Sequence, residues 1–131
     1  MENKNFGYEK LAEKIAAQIK KIKGVQAVIL FGSYARGEQK PISDIDLCVI
    51  ADRKVSEKTK AEITSFSSKK LDVSIFWDLP PSVRFRIIKE GKVLLSAGRE
   101  FLREAETKTV LEYLDFKYIL DRNAMRVFGH G

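Results

Sequence analysis

Two aspartates stand at the head of an otherwise apolar stretch of the sequence. Asp44 and Asp46 alternate with Ile45 and Leu47, and the stretch continues as CVIA to residue 51. Side chains alternate across a strand, so the two carboxylates point to one face while apolar residues fill the other. Like charges held this close repel, and a cation between them relieves the repulsion. Hard oxygen ligands favour Mg²⁺, which keeps several waters and completes its octahedron with phosphate oxygens.

A third aspartate repeats the pattern. Asp72 is the one charged residue in the segment LDVSI, residues 71 to 75. If this strand neighbours the one that begins at Asp44, three carboxylates converge, which is enough to hold two metal ions. Such a pair of ions stabilises the attacking and leaving oxygens of an in-line phosphoryl displacement. The alternative is an edge-strand aspartate that faces water.

A glycine and a serine, Gly32 and Ser33, follow the apolar run VQAVILF of residues 25 to 31. A residue without a side chain lets backbone N–H groups approach phosphate oxygens, and the serine adds a hydroxyl. A lone Gly-Ser pair is a common turn and means little. The pair becomes evidence for a phosphate site through its spacing from the aspartates. Ten residues separate Ser33 from Asp44, and Asp72 follows on a later strand.

The elements that position these residues follow from apolar periodicity and from Gly, Pro and Ser punctuation. The predicted strands are residues 25–31, 44–51 and 71–77, with 92–95 as an optional fourth. The predicted helices are residues 8–23 and 99–122, together with a helix that follows the punctuation at Asp78, Pro80, Pro81 and Ser82 and ends near Gly91. A polar helix is also predicted from Ser56 to the serine-rich stretch 65–68. The apolar face of the first helix consists of Leu11, Ile15, Ile19 and Ile22. The chain is therefore expected in the α/β (α+β) class, with helices on a small mixed sheet of about three to five strands.

The last predicted helix carries more apolar side chains than one buried face needs. Placed at about 100° per residue, they cover an arc of roughly 220°. The residues expected to pack on the sheet are Val110, Leu111, Leu114 and Tyr118. Those expected to face a partner or a second copy of the chain are Tyr113, Phe116 and Leu120. The alternative is a helix that is wrapped deeply into its own domain.

Length and composition restrict the class of protein. At 131 residues the chain has room for one ordinary domain. It has no uninterrupted apolar run near 18 residues, which excludes a membrane span, and its first residues lack a signal-peptide core, so a cytoplasmic protein is expected. Cys48 is the only cysteine and His130 the only histidine. We therefore expect a small buried side chain at Cys48 and no zinc site around it.

The stretch GSYARGEQKPISDIDL, residues 32 to 47, resembles the signature of the DNA polymerase beta-type nucleotidyltransferases. In that superfamily a Gly-Ser pair and an Asp-x-Asp pair are separated by such a loop, and a third aspartate lies on a following strand. The loop is most similar to that of the minimal nucleotidyltransferases, or MNT proteins, of prokaryotes at Ala35, Arg36, Gly37 and Ser43. The resemblance covers residues 25 to 76 and implies a single nucleotidyltransferase domain over residues 1 to 131.

The resemblance also implies a role for each site residue. Gly32 and Ser33 would hold the triphosphate of a nucleotide, and Asp44 and Asp46 would bind two Mg²⁺ ions. Asp72 would bind the catalytic ion and help to deprotonate the acceptor hydroxyl. No element of the core signature is missing from this sequence.

The net charge of +6 is distributed as a basic surface around an acidic centre. This distribution suits a polyanionic substrate such as a nucleotide or RNA, although a nucleic-acid partner is not required. The alternative for each lysine is a solvated position at a helix end. Arg36 and Lys40 of the signature loop can reach phosphates, or each can equally be a solvated loop charge.

Small MNT proteins resemble one half of two-gene systems whose other half is an all-helical HEPN ribonuclease toxin. The resemblance therefore implies an antitoxin that binds this partner and transfers AMP from ATP to a hydroxyl, usually of a tyrosine. One alternative is a small-molecule nucleotidyltransferase of the aminoglycoside-modifying type. Another is a nucleotide-binding regulatory module without turnover. A homo-oligomer is compatible with each of these.

Overall fold

A computed structural model describes the backbone of residues 4–32 and 44–128 and the side chains of residues 9–32 and 44–123. The strands are β1 (Val25–Phe31), β2 (Ile45–Ala51), β3 (Leu71–Ile75) and β4 (Lys92–Ser96). The helices of the described residues are α1 (Lys4–Lys20), α2 (Glu57–Thr64), α3 (Pro81–Glu90) and α4 (Arg99–Phe128). A short 3-10 helix, Phe76–Asp78, follows β3.

The strands form a mixed sheet in the order β3-β2-β1-β4. β1 is antiparallel to both of its neighbours, and β2 is parallel to β3. The parallel pair requires a crossover, which α2 supplies between the two strands. The predicted α/β class with a small mixed sheet is confirmed, and β4 is the fourth strand.

The sheet is covered on both faces, which explains why its central strands are almost wholly apolar. One face packs against α1 and α2 through Ala12, Ala16, Ile19 and Ile63. The other face packs against the 3-10 helix, α3 and α4 through Phe76, Ile87 and Ala105. Residues of β1 and β2 alternate between these two cores. The charged residues of these strands are therefore exceptions in an otherwise apolar sheet.

The first helix differs from the prediction in its bounds and in its buried face. It spans Lys4–Lys20, and the predicted core residue Leu11 is 43% exposed. Ala12 and Ala16 are fully buried beside Ile19, so small side chains let the helix lie close to the sheet. Gly24, with φ +98°, makes the turn into β1.

The predicted start of α2 at Ser56 and the predicted end of α3 near Gly91 are confirmed, whereas β3 is shorter than predicted. The Ser56 side chain accepts a hydrogen bond from the Thr59 N–H as an N-cap, and Pro81 begins α3. β3 ends at Ile75 rather than at Trp77. The chain turns there because Phe76 is fully buried in the second core. The Leu79 N–H donates a hydrogen bond to the Phe76 carbonyl oxygen, which closes the 3-10 turn.

The last helix continues to Phe128, beyond the predicted end at residue 122. Its contact with the body includes Ala105 and Thr109, which are buried, and Tyr113, whose ring stacks on Phe85 at 4.3 Å between centroids. Leu111, Leu114 and Tyr118, which were expected on the sheet, are exposed, so that assignment was wrong. The placing of Tyr113 on the partner-facing strip was also wrong, because its ring contacts Phe85 of the same chain. A helix of 30 residues is about 45 Å long. Its second half therefore extends past the elements that its first half contacts.

Two smaller expectations concern burial and membranes. Cys48 is a buried free thiol, as predicted, and burial raises the pKa of that thiol. Within the described part of the chain, no helix has the length and apolar character needed to cross a membrane.

Candidate active site

Gly32 places the backbone directly against the carboxylate of Asp46. It follows β1 with φ +78°, a conformation that residues with a side chain seldom adopt. A Cβ at this position would stand 2.4 Å from Oδ2 of Asp46 and 3.2 Å from its Cγ. Phe31, the last residue of β1, is paired with Asp46 on β2. The end of β1 and the start of β2 therefore form one site in which only glycine fits against the carboxylate.

The parallel pairing of β2 with β3 sets two carboxylates side by side. Asp46 is in register with Asp72, and neighbouring strands lie about 4.8 Å apart. The Ile45 N–H donates a hydrogen bond to the Lys70 carbonyl oxygen at 2.7 Å, which fixes the register at the first residue of β2. Asp72 is exposed and Asp46 is partly exposed. The predicted neighbouring strands are confirmed, and a substrate can approach this pair from solvent.

Asp44 lies one residue before β2, and its side chain is exposed. In the described residues, no three Asp, Glu, His or Cys side chains form a group that could hold a metal ion. Among the described residues, the structure thus pairs Asp46 with Asp72 and leaves Asp44, two positions before Asp46 in the sequence, outside a three-carboxylate cluster.

The donor chemistry of this pair suits Mg²⁺. That ion is usually held by one or two carboxylates together with waters and phosphate oxygens, rather than by a cage of protein ligands. Asp46 and Asp72 supply two carboxylates on neighbouring strands. Gly32 leaves room beside one of them that a side chain would otherwise fill. The described residues fit the ion on these grounds.

A small cavity of about 140 Å³ adjoins the glycine. It lies between the end of β1 and one face of α3, and its lining residues are Phe31, Gly32, Val83, Arg86, Ile87 and Glu90. Arg86 is exposed and Ile87 is buried in the core. No pattern in the sequence indicates Arg86, because a helical pattern alone does not say which strand end its polar residues lie beside.

A larger cavity of about 380 Å³ lies at the opposite end of the sheet, beside Ala51 and Ile75. Arg84 is buried and donates hydrogen bonds to the Leu79 carbonyl oxygen, to Thr109 Oγ1 and to the Glu112 carboxylate. The Arg84 guanidinium holds the pKa of Glu112 below its ordinary value. This cluster joins α3 to α4.

The other cations of the larger cavity are also paired. The guanidinium of Arg53 lies 3.9 Å from the Trp77 ring centroid and 3.6 Å from the Glu112 carboxylate. Lys60 Nζ lies 3.0 Å from Asp78 Oδ1, and this hydrogen bond raises the pKa of Lys60. Because these partners lie within the fold itself, the cluster is a structural junction. Sequence reasoning missed it, since its members come from four separate elements.

Three predicted nucleotide contacts lie outside the described residues. Ser33, Arg36 and Lys40 all fall between residues 33 and 43, and they remain predictions. The described part of the site therefore consists of Gly32, Asp44, Asp46 and Asp72 together with the cavity beside α3.

The chain is similar to one protein family and to several known proteins. Residues 13–100 match the family described as polymerase beta, nucleotidyltransferase. The match includes the glycine, the three aspartates and the cavity. A protein of Methanocaldococcus jannaschii, provisionally named a protein adenylyltransferase, is 39% identical over 70 residues. That segment is 53% of this chain and 55% of the relative, so the match spans about half the length of each.

Two solved structures share the fold. One chain of a toxin–antitoxin crystal structure with AMP-PNP has a TM-score of 0.71 and 21% identity, over 89% of this chain and 98% of that chain. The other is a complex of a tri-AMPylated Shewanella oneidensis HEPN toxin with an MNT antitoxin. The matching chain has a TM-score of 0.67 and 19% identity, over 92% of this chain and 99% of that chain. These matches confirm the predicted fold.

Proposed function

Because this chain belongs to the polymerase beta nucleotidyltransferase family, we propose that it transfers AMP from ATP to a hydroxyl group of a HEPN-domain partner. The observation that carries the proposal is the close approach of the Gly32 backbone to Asp46, which is itself in register with Asp72. A turn open to phosphate and a carboxylate pair at one end of a sheet are what a metal-assisted phosphoryl transfer needs.

The turn at Gly32 is suited to the triphosphate of ATP. The missing side chain and the positive φ leave the backbone accessible beside Asp46, so phosphate oxygens can approach the chain closely. We propose that Ser33 and Arg36, which follow in the sequence, add a hydroxyl and a guanidinium to the same contact. The planar guanidinium group of arginine and the hydroxyl group of serine commonly donate hydrogen bonds to phosphate oxygens.

The carboxylates are the proposed metal ligands. Asp44, Asp46 and Asp72 would together hold two Mg²⁺ ions when nucleotide is bound, each ion completing its coordination with phosphate oxygens and water. When bound, the ions would neutralise the phosphates and stabilise the charge on the attacking and leaving oxygens. Aspartate oxygens on paired strands are held in place by the backbone, so their arrangement needs little adjustment on binding.

Asp72 is the proposed general base. It is exposed on β3, an edge strand of the sheet, so an acceptor from solvent or from a partner protein can reach it. The acceptor oxygen would form a bond to the α-phosphorus of ATP while its proton passes to the Asp72 carboxylate. The bond from that phosphorus to the bridging oxygen of the β-phosphate would break, and pyrophosphate would leave.

The partner is proposed from the surface of α4. Every side chain from Leu114 to Asn123 is exposed. Large apolar residues in this stretch are 43% to 63% exposed, and they are Leu114, Phe116, Tyr118, Ile119 and Leu120. Exposed apolar groups concentrated in this way indicate a protein interface. A HEPN toxin is the favoured occupant because one structural neighbour is a complex of a HEPN toxin with an MNT antitoxin.

We also propose that residues 1–131 are a single domain that acts in the cytoplasm, where ATP and Mg²⁺ are available. A single domain is supported by the two cores, which lie on opposite faces of one sheet. Limited proteolysis should then yield one protected fragment that contains all four strands.

The proposal is tested by incubating the protein with Mg²⁺, α-labelled ATP and a candidate HEPN protein. We expect label on the HEPN protein, at a hydroxyl-bearing residue identified by mass spectrometry, and no label when Asp46→Asn replaces the natural chain. Label on an added aminoglycoside alone would instead indicate a small-molecule transferase. ATP binding without any transfer would indicate a regulatory module.

A further inference from the structure

We propose that Arg86 of α3 binds the pyrophosphate leaving group, an inference that rests on the proposed function. The order of groups across the sheet is the first argument. Asp72 on β3, Asp46 on β2 and Gly32 after β1 follow one another from the edge strand inward. Arg86 lines the cavity that adjoins Gly32 on the side of α3.

An in-line displacement determines which end of this order the acceptor occupies and which end the leaving group occupies. The attacking oxygen and the leaving oxygen lie on opposite sides of the phosphorus. If Asp72 receives the proton of the acceptor, the acceptor occupies the β3 side of Asp46. The leaving group then points the opposite way, over Gly32 and toward Arg86. The bond that breaks leaves its electron pair on the pyrophosphate oxygen, so negative charge develops on the Arg86 side.

The size and chemistry of the cavity also suit a phosphate group. At about 140 Å³ it is smaller than the roughly 300 Å³ or more of a site that encloses a whole small molecule. Val83, Arg86, Ile87 and Glu90 recur at helical spacing on one face of α3. Glu90 brings a negative charge to the same cavity one turn beyond Arg86, so an anion is expected on the Arg86 side, away from that carboxylate.

Arginine is the residue type that this role needs. Its planar guanidinium donates two parallel hydrogen bonds to phosphate oxygens and remains charged at every physiological pH. Arg86 is exposed, so substitution should leave the fold intact. Lys89 is a matched control because it is an exposed cation of the same helix that does not line the cavity.

The test compares binding of Mg²⁺-pyrophosphate, Mg²⁺-ATP and AMP by calorimetry to the natural protein, Arg86→Gln, Arg86→Lys and Lys89→Gln. We expect Arg86→Gln to weaken pyrophosphate and ATP binding about tenfold or more and to leave AMP binding within about twofold. Arg86→Lys should be intermediate, since it keeps the charge without the fork. Lys89→Gln should bind all three ligands as the natural protein does.

Two results would overturn the assignment. One is unchanged pyrophosphate affinity in Arg86→Gln, and the other is an equal loss for AMP and pyrophosphate, which would place Arg86 against the nucleoside. If either result is found while the natural protein binds ATP, only the role of Arg86 is overturned. Failure of the natural protein to bind both ATP and pyrophosphate would overturn the proposed function and the inference with it.

Discussion

Replacing Gly32 with alanine should damage the site much more than the fold. The new Cβ would stand 2.4 Å from Asp46 Oδ2, whereas real Cβ contacts essentially never fall below 3.0 Å. The carboxylate must therefore move by roughly 0.6 Å or more. A misplacement of about 1 Å in an active site can lower a rate about 100-fold. We expect the rate of AMP transfer to fall about 30- to 100-fold on this scale.

The cost to the fold is smaller and can be measured separately. An alanine at φ +78° pays about 1 to 2 kcal/mol for the left-handed conformation. In a domain of this size that loss lowers the melting temperature by roughly 3 to 10 °C. Thermal melts followed by circular dichroism give this quantity on the same preparation that is used for kinetics.

Gly24→Ala is the control for this experiment. Gly24 also has a positive φ, +98°, and its Cβ would stand 2.6 Å from Val55 Cγ1. The residue lies in the turn between α1 and β1, at the other end of β1 from Gly32. We expect a similar fall in melting temperature with unchanged transfer. The reasoning is refuted if Gly32→Ala loses no more activity than Gly24→Ala at a temperature where both variants are folded.

Three further variants test other parts of the account. Asp46→Asn should abolish transfer and leave the melting temperature without Mg²⁺ level or higher, because it removes a ligand and a like-charge repulsion; near-normal transfer would contradict the metal assignment. Glu112→Gln should cost about 1 to 2 kcal/mol of stability at neutral pH, because buried Arg84 donates to that half-exposed carboxylate. Since Arg84 lowers the pKa of Glu112, this contribution is present above the ordinary carboxyl pKa and is lost as pH falls through the lower folded value. Melting temperatures of variant and natural protein should converge as the pH falls below the ordinary carboxyl range, and a constant difference would contradict this. Phe116→Ser combined with Leu120→Ser should release a co-purified partner without altering ATP binding, since both side chains are exposed, and a folded double variant that still carries its partner would contradict the interface.

The strands of the site could be predicted because their sequence is locally unambiguous. The apolar run of β1 and its following glycine gave the bounds Val25–Phe31 correctly. The alternation of Asp44 and Asp46 with apolar residues gave β2 to within one residue. The side-by-side position of Asp46 and Asp72 was conditional on strand order, and the parallel register satisfies that condition.

Burial on the helices could not be predicted from apolar character alone. Leu11 was expected in the core and is exposed, while Ala12 and Ala16 are buried. Close packing of a helix on a sheet favours the face whose side chains are small enough, and size complementarity depends on residues distant in sequence. The same limit explains why Leu111, Leu114 and Tyr118 of α4 were placed on the wrong side.

The junction of Arg84 and Glu112 and the position of Arg86 needed the structure for a related reason. Both depend on how α3 lies relative to the sheet and to α4, and nothing in the spacing of a helical sequence fixes that orientation. Arg84 is buried, whereas Arg86 is exposed and lines the cavity beside Gly32, although a single residue separates them.

The most direct test of nucleotidyl transfer is the origin of the phosphorus that reaches the acceptor. The protein, Mg²⁺ and the HEPN candidate are incubated in parallel with α-labelled and with γ-labelled ATP, and pyrophosphate is quantified. Transfer at the Gly32 and Asp46 site predicts label on the partner from the α position only, with one pyrophosphate released for each AMP attached. Label from the γ position, or a partner that stays unlabelled while the protein binds ATP, would contradict that account.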